Sequence, residues 1–163
     1  GIVDEDMLAA TAVSPLKRQG AGTVLQVVEA TGNTATSSSS QTYTETVITG
    51  AITPLKSDSV ILVDVATTCW PAADTYVQAQ LRSSGGNTNN DIGTWGDNFA
   101  GESGYCYNIW LPYRHTSHNA TSEITYKVFG KKQTSNGTTW YLPNNNTGNS
   151  TISWMIRMTE VLA

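Results

Sequence analysis

His115 and His118 are the two histidines of the chain, spaced i, i+3. A metal would need their ring nitrogens to converge at about 2.0–2.1 Å from one ion. On a strand, positions i and i+3 face opposite sides, so only a loop would bring the rings together. No cysteine or carboxylate adjoins the pair, and the expectation is a surface loop after Pro112. A site assembled from single histidines of three chains around an axis stays open. Ser14-Pro-Leu-Lys17 has the Ser-x-x-Lys spacing of a serine acyltransferase, without its companion motifs. Gly101-Glu-Ser103-Gly104 has Tyr105 where a nucleophile elbow needs its second glycine. Gly20-Ala-Gly22 precedes a strand pattern rather than a helix, so it offers phosphate no helix N-terminus. A calcium loop starting at Asn87 would need Gly and Glu where Ile92 and Asn98 stand.

The segment Asp91–Tyr105 is richer. It gathers Trp95, Asp97, Asn98, Phe99, Glu102 and Tyr105 among four glycines. Aromatic faces beside carboxylates and amides suit a sugar-binding surface. The same residues suit a subunit interface, where Trp and Tyr are enriched. They would also tuck the loop onto its own domain. Asp97 and Glu102 form a close acidic pair, but glycoside hydrolysis needs two carboxyls held across a cleft, and nothing else in the sequence supports one. No catalytic residue, cofactor or metal is expected.

These residues must be carried by something, and composition says what. Of 163 residues, 39% are hydrophobic and only 13% charged, about half the usual charged share. Thr (24), Ser (15) and Asn (12) take the place of the missing charge. Five Trp, seven Tyr and a net charge of −4 argue against disorder. Nine Lys+Arg against 13 Asp+Glu leave no nucleic-acid footprint. No apolar run approaches the ~18 residues of a membrane span. An acidic start without an apolar core segment argues against a secretory leader. Cys69 and Cys106 are too few for a disulfide framework; two buried thiols are preferred over one bridge.

Residues 1–22 differ from the rest. Asp4–Ala12 suits a short helix with acidic residues at its start, and Pro15 stops it. The segment reads as an arm, with Met7, Leu8, Leu16, Lys17 and Arg18 as its contact residues. Residues 23–163 read as one all-β domain, an antiparallel β-sandwich or jelly roll of about eight strands. The strands are expected at 23–29, 42–49, 59–67, 75–82, 105–111, 123–129, 138–142 and 151–160. Gly50 reads as a bend. Residues 31–41 and 83–104 read as loops. Val77, Ala79 and Leu81 should face inward, with Gln78, Gln80 and Arg82 wet. Ile124, Tyr126 and Val128 should also point inward, as should Ile152, Trp154, Ile156 and Met158. The tryptophans outside the 91–105 loop are expected in the core.

Gly22-Thr-Val-Leu-Gln-Val-Val-Glu-Ala-Thr with its Ser/Thr run resembles the opening of small bacteriophage virion surface proteins. The likeness extends to Thr49–Val65, Glu123–Phe129 and Ser150–Val161, but the arm before Gly22 matches nothing in that group. The resemblance implies a jelly-roll-like domain of a capsid decoration, cement, head-fibre or tail-fibre protein, often trimeric, with no catalytic residues. Expected partners are a homotrimer's other copies, the major capsid protein or other virion proteins, and a host surface glycan. Neither nucleic acid nor membrane is expected. The place of action would be the virion, assembled in the host cytoplasm.

Overall fold

The computed structural model describes residues 20–71, 75–86, 99–101, 107–133, 139–143 and 153–163. They form strands β1 (Val24–Gly32), β2 (Thr36–Ser38), β3 (Thr44–Ile52), β4 (Val60–Pro71), β5 (Thr75–Gly85), β6 (Phe99–Gly101), β7 (Tyr107–His115), β8 (Ile124–Lys132), β9 (Trp140–Leu142) and β10 (Trp154–Val161). Every pairing is antiparallel. One layer runs β1-β10-β4, with β7 on β4; the other runs β3-β8-β5-β6. The short β2 pairs with β9, and β9 pairs with Trp70–Pro71 at the end of β4. Without those two, eight strands form two four-stranded sheets, β1-β10-β4-β7 and β3-β8-β5-β6, which is jelly-roll order.

Period-two alternation builds the core between the layers. On β8 every second residue from Ile124 to Lys132 is buried. On β10 the buried set is Trp154, Ile156, Met158 and Glu160. Ile61, Val63, Val65 and Cys69 of β4 meet Val77, Ala79 and Leu81 of β5 in the same cluster. Each fully buried aliphatic side chain contributes about 1.5–3 kcal/mol relative to exposure. Cys69 is buried as expected, whereas Cys106 and Ile152 lie outside the described residues.

The structure corrects several expectations. Residues 36–38 and 99–101, both read as loop, are strands. Their pairing rests on β9 and β5, not on any apolar pattern of their own. β7 continues through Pro112, which pairs with Asp64 of β4. Among the described residues β7 has no second neighbour, and an edge strand tolerates proline's missing N–H. Gln80 is buried rather than wet, because Arg82 donates to its Oε1 (3.0 Å) and lies over Phe129.

Gly50 is not a bend. It sits mid-strand opposite Tyr126, where the layers approach so closely that a Cβ would stand 2.7 Å from Ile156 Cγ2. Gly50→Ala therefore overpacks the core. We expect a loss of about 1–3 kcal/mol in urea unfolding, despite the lower entropy of the unfolded alanine chain. Gly85 ends β5 with φ +88°, and a Cβ there would meet the Glu123 carbonyl at 2.5 Å.

A candidate interaction face and a buried polar cluster

Met7, Leu8, Leu16, Lys17 and Arg18 lie outside the described residues, as do Trp95, Asp97, Asn98, Glu102 and Tyr105. Phe99, expected in the loop, opens β6, where its backbone pairs with Val77. Gly20 and Gly86 lie at one end of the sandwich, whereas Phe99–Gly101 pairs with Thr75–Val77 and Tyr107 with Cys69 at the other. Residues 1–19 join at Gly20, which accepts from the Thr23 N–H (3.1 Å), and Gly22 N donates to the Leu162 carbonyl (2.8 Å). Residues 87–98 join at Gly86, beside Ala120 and Ile124. The starts of β1, β4 and β8 and the ends of β5, β7 and β10 share this end, as their registers require.

This end is held by a buried polar cluster. Glu160 follows Trp154, Ile156 and Met158 in parity, so β10 drives its carboxylate inward, where it is fully buried. It accepts from Leu55 N (2.9 Å), Lys56 N (3.0 Å), Gln26 Nε2 (2.6 Å) and Ser59 Oγ (2.6 Å). Burial alone would raise its pKa; the hydrogen bonds outweigh burial and hold it below the usual carboxylate value. One carboxylate thereby ties the turn at 53–59 to β1 and β10.

Ser59, His118 and Glu160 are the three residue types of a hydrolytic triad, but their protons are arranged otherwise. Ser59 Oγ donates to Glu160 and stands 3.2 Å from His118 Nε2. His118 Nδ1 accepts from Ala120 N (3.3 Å), which places the ring proton on Nε2, 3.0 Å from the Ser59 carbonyl. An Nε2 that carries a proton cannot take one from the serine. All three side chains are fully buried. The arrangement braces the backbone.

The histidine pair is also corrected. His115 closes β7 at 7% exposure and His118 is fully buried, so neither sits on a surface loop. His115 Nδ1 lies 2.8 Å from Tyr126 Oη, and the two imidazoles contact edge to face at 5.7 Å. Burial, followed by repulsion from His118, lowers the His115 pKa to about 4. Burial raises that of Tyr126. Among the described residues no three His, Cys, Asp or Glu side chains gather as a metal site.

The outer faces of the two sheets differ. On the β3-β8-β5 sheet, Lys127 pairs with Glu45 (2.7 Å) and Arg82 covers Phe129. The β1-β10-β4-β7 sheet carries the exposed Arg157–Glu29 pair (2.8 Å) on its middle row. Its cross-strand rows are Thr31–Met155–Ala66–Trp110, Glu29–Arg157–Asp64–Pro112 and Val27–Thr159–Leu62–Arg114. Trp110 is 68% exposed, which overturns its expected core position. Ile109 and Leu111 take the inward positions of β7, so the residue between them points out. The indole Nε1 donates to Asp64 Oδ1 (3.3 Å), which holds it against the sheet. Two shallow depressions of about 460 and 490 Å³ flank it, the first by Ala66, Trp110 and Met155, the second by Leu62, Pro112 and Arg114.

Fold and site together define an antiparallel jelly-roll sandwich with one open, partly apolar sheet face. No protein-family model matches the chain, and no curated protein matches it in sequence. Solved structures do match in fold. The VP2 subviral particle of infectious bursal disease virus aligns at TM-score 0.53 and 12% identity, covering 83% of this chain and 39% of that one. T=1 particles derived from the same virus align at TM-score 0.51 and 13% identity, covering 85% and 36%. This chain thus spans under two fifths of the VP2 chains it matches. At this identity the likeness is one of fold.

Proposed function

We propose that the chain is a structural virion protein of a bacteriophage: a capsid decoration or cement protein whose jelly roll (residues 23–163) is anchored by the arm, residues 1–22. The observation that carries this reading is the jelly-roll strand order, together with the likeness in fold to VP2, whose structures are of particles. Low charge and the Thr/Ser/Asn surface suit lateral packing at high density. Copies around a rotation axis, a trimer in the group it resembles, would cover exposed strand edges.

The arm attaches at the braced end, whereas the described neighbours of Glu102 and Tyr105 lie at the other end, Gly101 opposite Thr75 and Tyr107 opposite Cys69. If the arm faces the particle, that other end points outward, which keeps a host-glycan surface of Trp95, Asp97, Asn98, Phe99, Glu102 and Tyr105 as the alternative reading. Trp95→Ala should then lower adsorption to host polysaccharide and leave particle occupancy unchanged. The direct test of anchoring is the combined variant Met7→Asp, Leu8→Asp, Leu16→Asp in the full chain. Occupancy on particles should fall at least tenfold with an unchanged thermal midpoint. Wild-type occupancy would refute the anchoring role.

A further inference from the structure

We propose that the open face of the β1-β10-β4-β7 sheet is the receptor for the 1–19 segment of a neighbouring copy, with Met7 and Leu8 seated beside Trp110 and Leu62. The inference rests on the anchoring role given to the arm and names the surface that receives it. The face has an apolar floor of Leu62, Pro112, Trp110 and Met155, partly or largely open to solvent. Its indole is preset by Asp64, so binding there orders little that is not already ordered. Each outer face carries one exposed ion pair, Arg157–Glu29 here and Lys127–Glu45 on the opposite sheet, but the exposed Trp110 indole stands on this face, while Arg82 covers Phe129 on the other.

Charge and length choose the occupant. The Leu62–Pro112 depression is also lined by Asp64, which accepts from the Trp110 indole, and by Arg114, which is exposed at its rim and pairs with no carboxylate among the described residues. In the arm, Asp4, Glu5 and Asp6 directly precede Met7 and Leu8. An acidic run followed by two flexible apolar side chains matches a cation beside an apolar floor. The arm leaves from Gly20, hydrogen-bonded at the β1–β10 end of this same sheet. From Gly20 back to Met7 an extended chain reaches roughly 40 Å, whereas the Trp110 site lies about 15 Å across and about 20 Å along its own sheet, roughly 25 Å in all. The arm is long enough to pass its own face and reach the next copy. An arm-to-face contact is heterologous, and it closes into a ring under three-fold symmetry.

The test uses the full chain with Asn108→p-benzoylphenylalanine, a photo-cross-linker at the rim of the Trp110 depression, in an equal mixture of ¹⁵N-labelled and unlabelled copies. Peptide mapping should show cross-links from position 108 to residues 1–19, in mixed-isotope pairs. In the same chain Leu8→Asp should reduce those cross-links at least tenfold, and Trp110→Ala should do so while leaving the thermal midpoint within about 1–2 °C. Cross-links confined to one isotope would place the arm on its own face and overturn the proposal. So would cross-links to other segments, or none. Particle occupancy of the Met7, Leu8, Leu16 variant is measured separately, so loss of anchoring and loss of this face are told apart.

Discussion

Glu160→Ala should be among the most destabilising single substitutions in the chain. It strands two backbone N–H groups, a serine hydroxyl and a glutamine amide that all donate to this carboxylate. A buried donor left without an acceptor costs about 1–3 kcal/mol. Some of the four will find water, and a net loss of about 3–4 kcal/mol is expected. For a domain of this size that lowers the thermal midpoint by roughly 6–15 °C. Glu160→Gln keeps one acceptor oxygen but turns an amide toward donors, and should fall between. Glu29→Ala is the control. Its Oε2 accepts from Arg157 Nε and Nη2 (2.9 and 2.8 Å) in the open, so about 0.5 kcal/mol or less is expected. Equal effects of the two alanine variants in calorimetry would refute the bracing role of the cluster.

Acid should unfold the protein in two stages. His115 has a native pKa of about 4 against 6.5 for the free side chain. The unfolded chain therefore binds a proton at a pH where the native one does not, and stability rises with pH across that window. The contribution is fully present above pH 6.5 and is lost as pH falls from 6.5 to about 4. Its size is about 3 kcal/mol. Glu160 acts lower. Its native pKa lies below 4.5, so its contribution is present above 4.5 and is lost as pH falls through the native value. Urea unfolding at pH 7, 5.5, 4 and 3 should show the first decline between pH 7 and 4 in wild type and a flatter profile there in His115→Gln. The second decline should persist in that variant. A His115→Gln profile parallel to wild type would contradict the account.

Much of the architecture is legible in alternation alone. Ile124, Tyr126 and Val128, and Trp154, Ile156 and Met158, point inward as their parity requires. β2 and β6 are not legible, because Thr36–Ser38 and Phe99–Gly101 become strands only through partners far along the chain. The polar cluster is hidden for the same reason. His118 meets Ser59, and Ser59 meets Glu160, across 59 and 101 residues of sequence. Yet two signals were present. Glu160 continues the inward parity of Met158, which marks a carboxylate destined for burial. Trp110 stands between inward Ile109 and Leu111, which marks an indole aimed at solvent. Judging Trp110 by type puts it in the core; parity places it, and Glu160, correctly.

The role proposed for this fold is the coating of a particle, so the most direct measurement is the copy number of the chain in purified particles, quantified against the major capsid protein with isotope-labelled peptides. A decoration or cement protein should be present in hundreds of copies, at a fixed ratio to the shell subunit. Absence from purified particles, or a variable trace, would contradict the account.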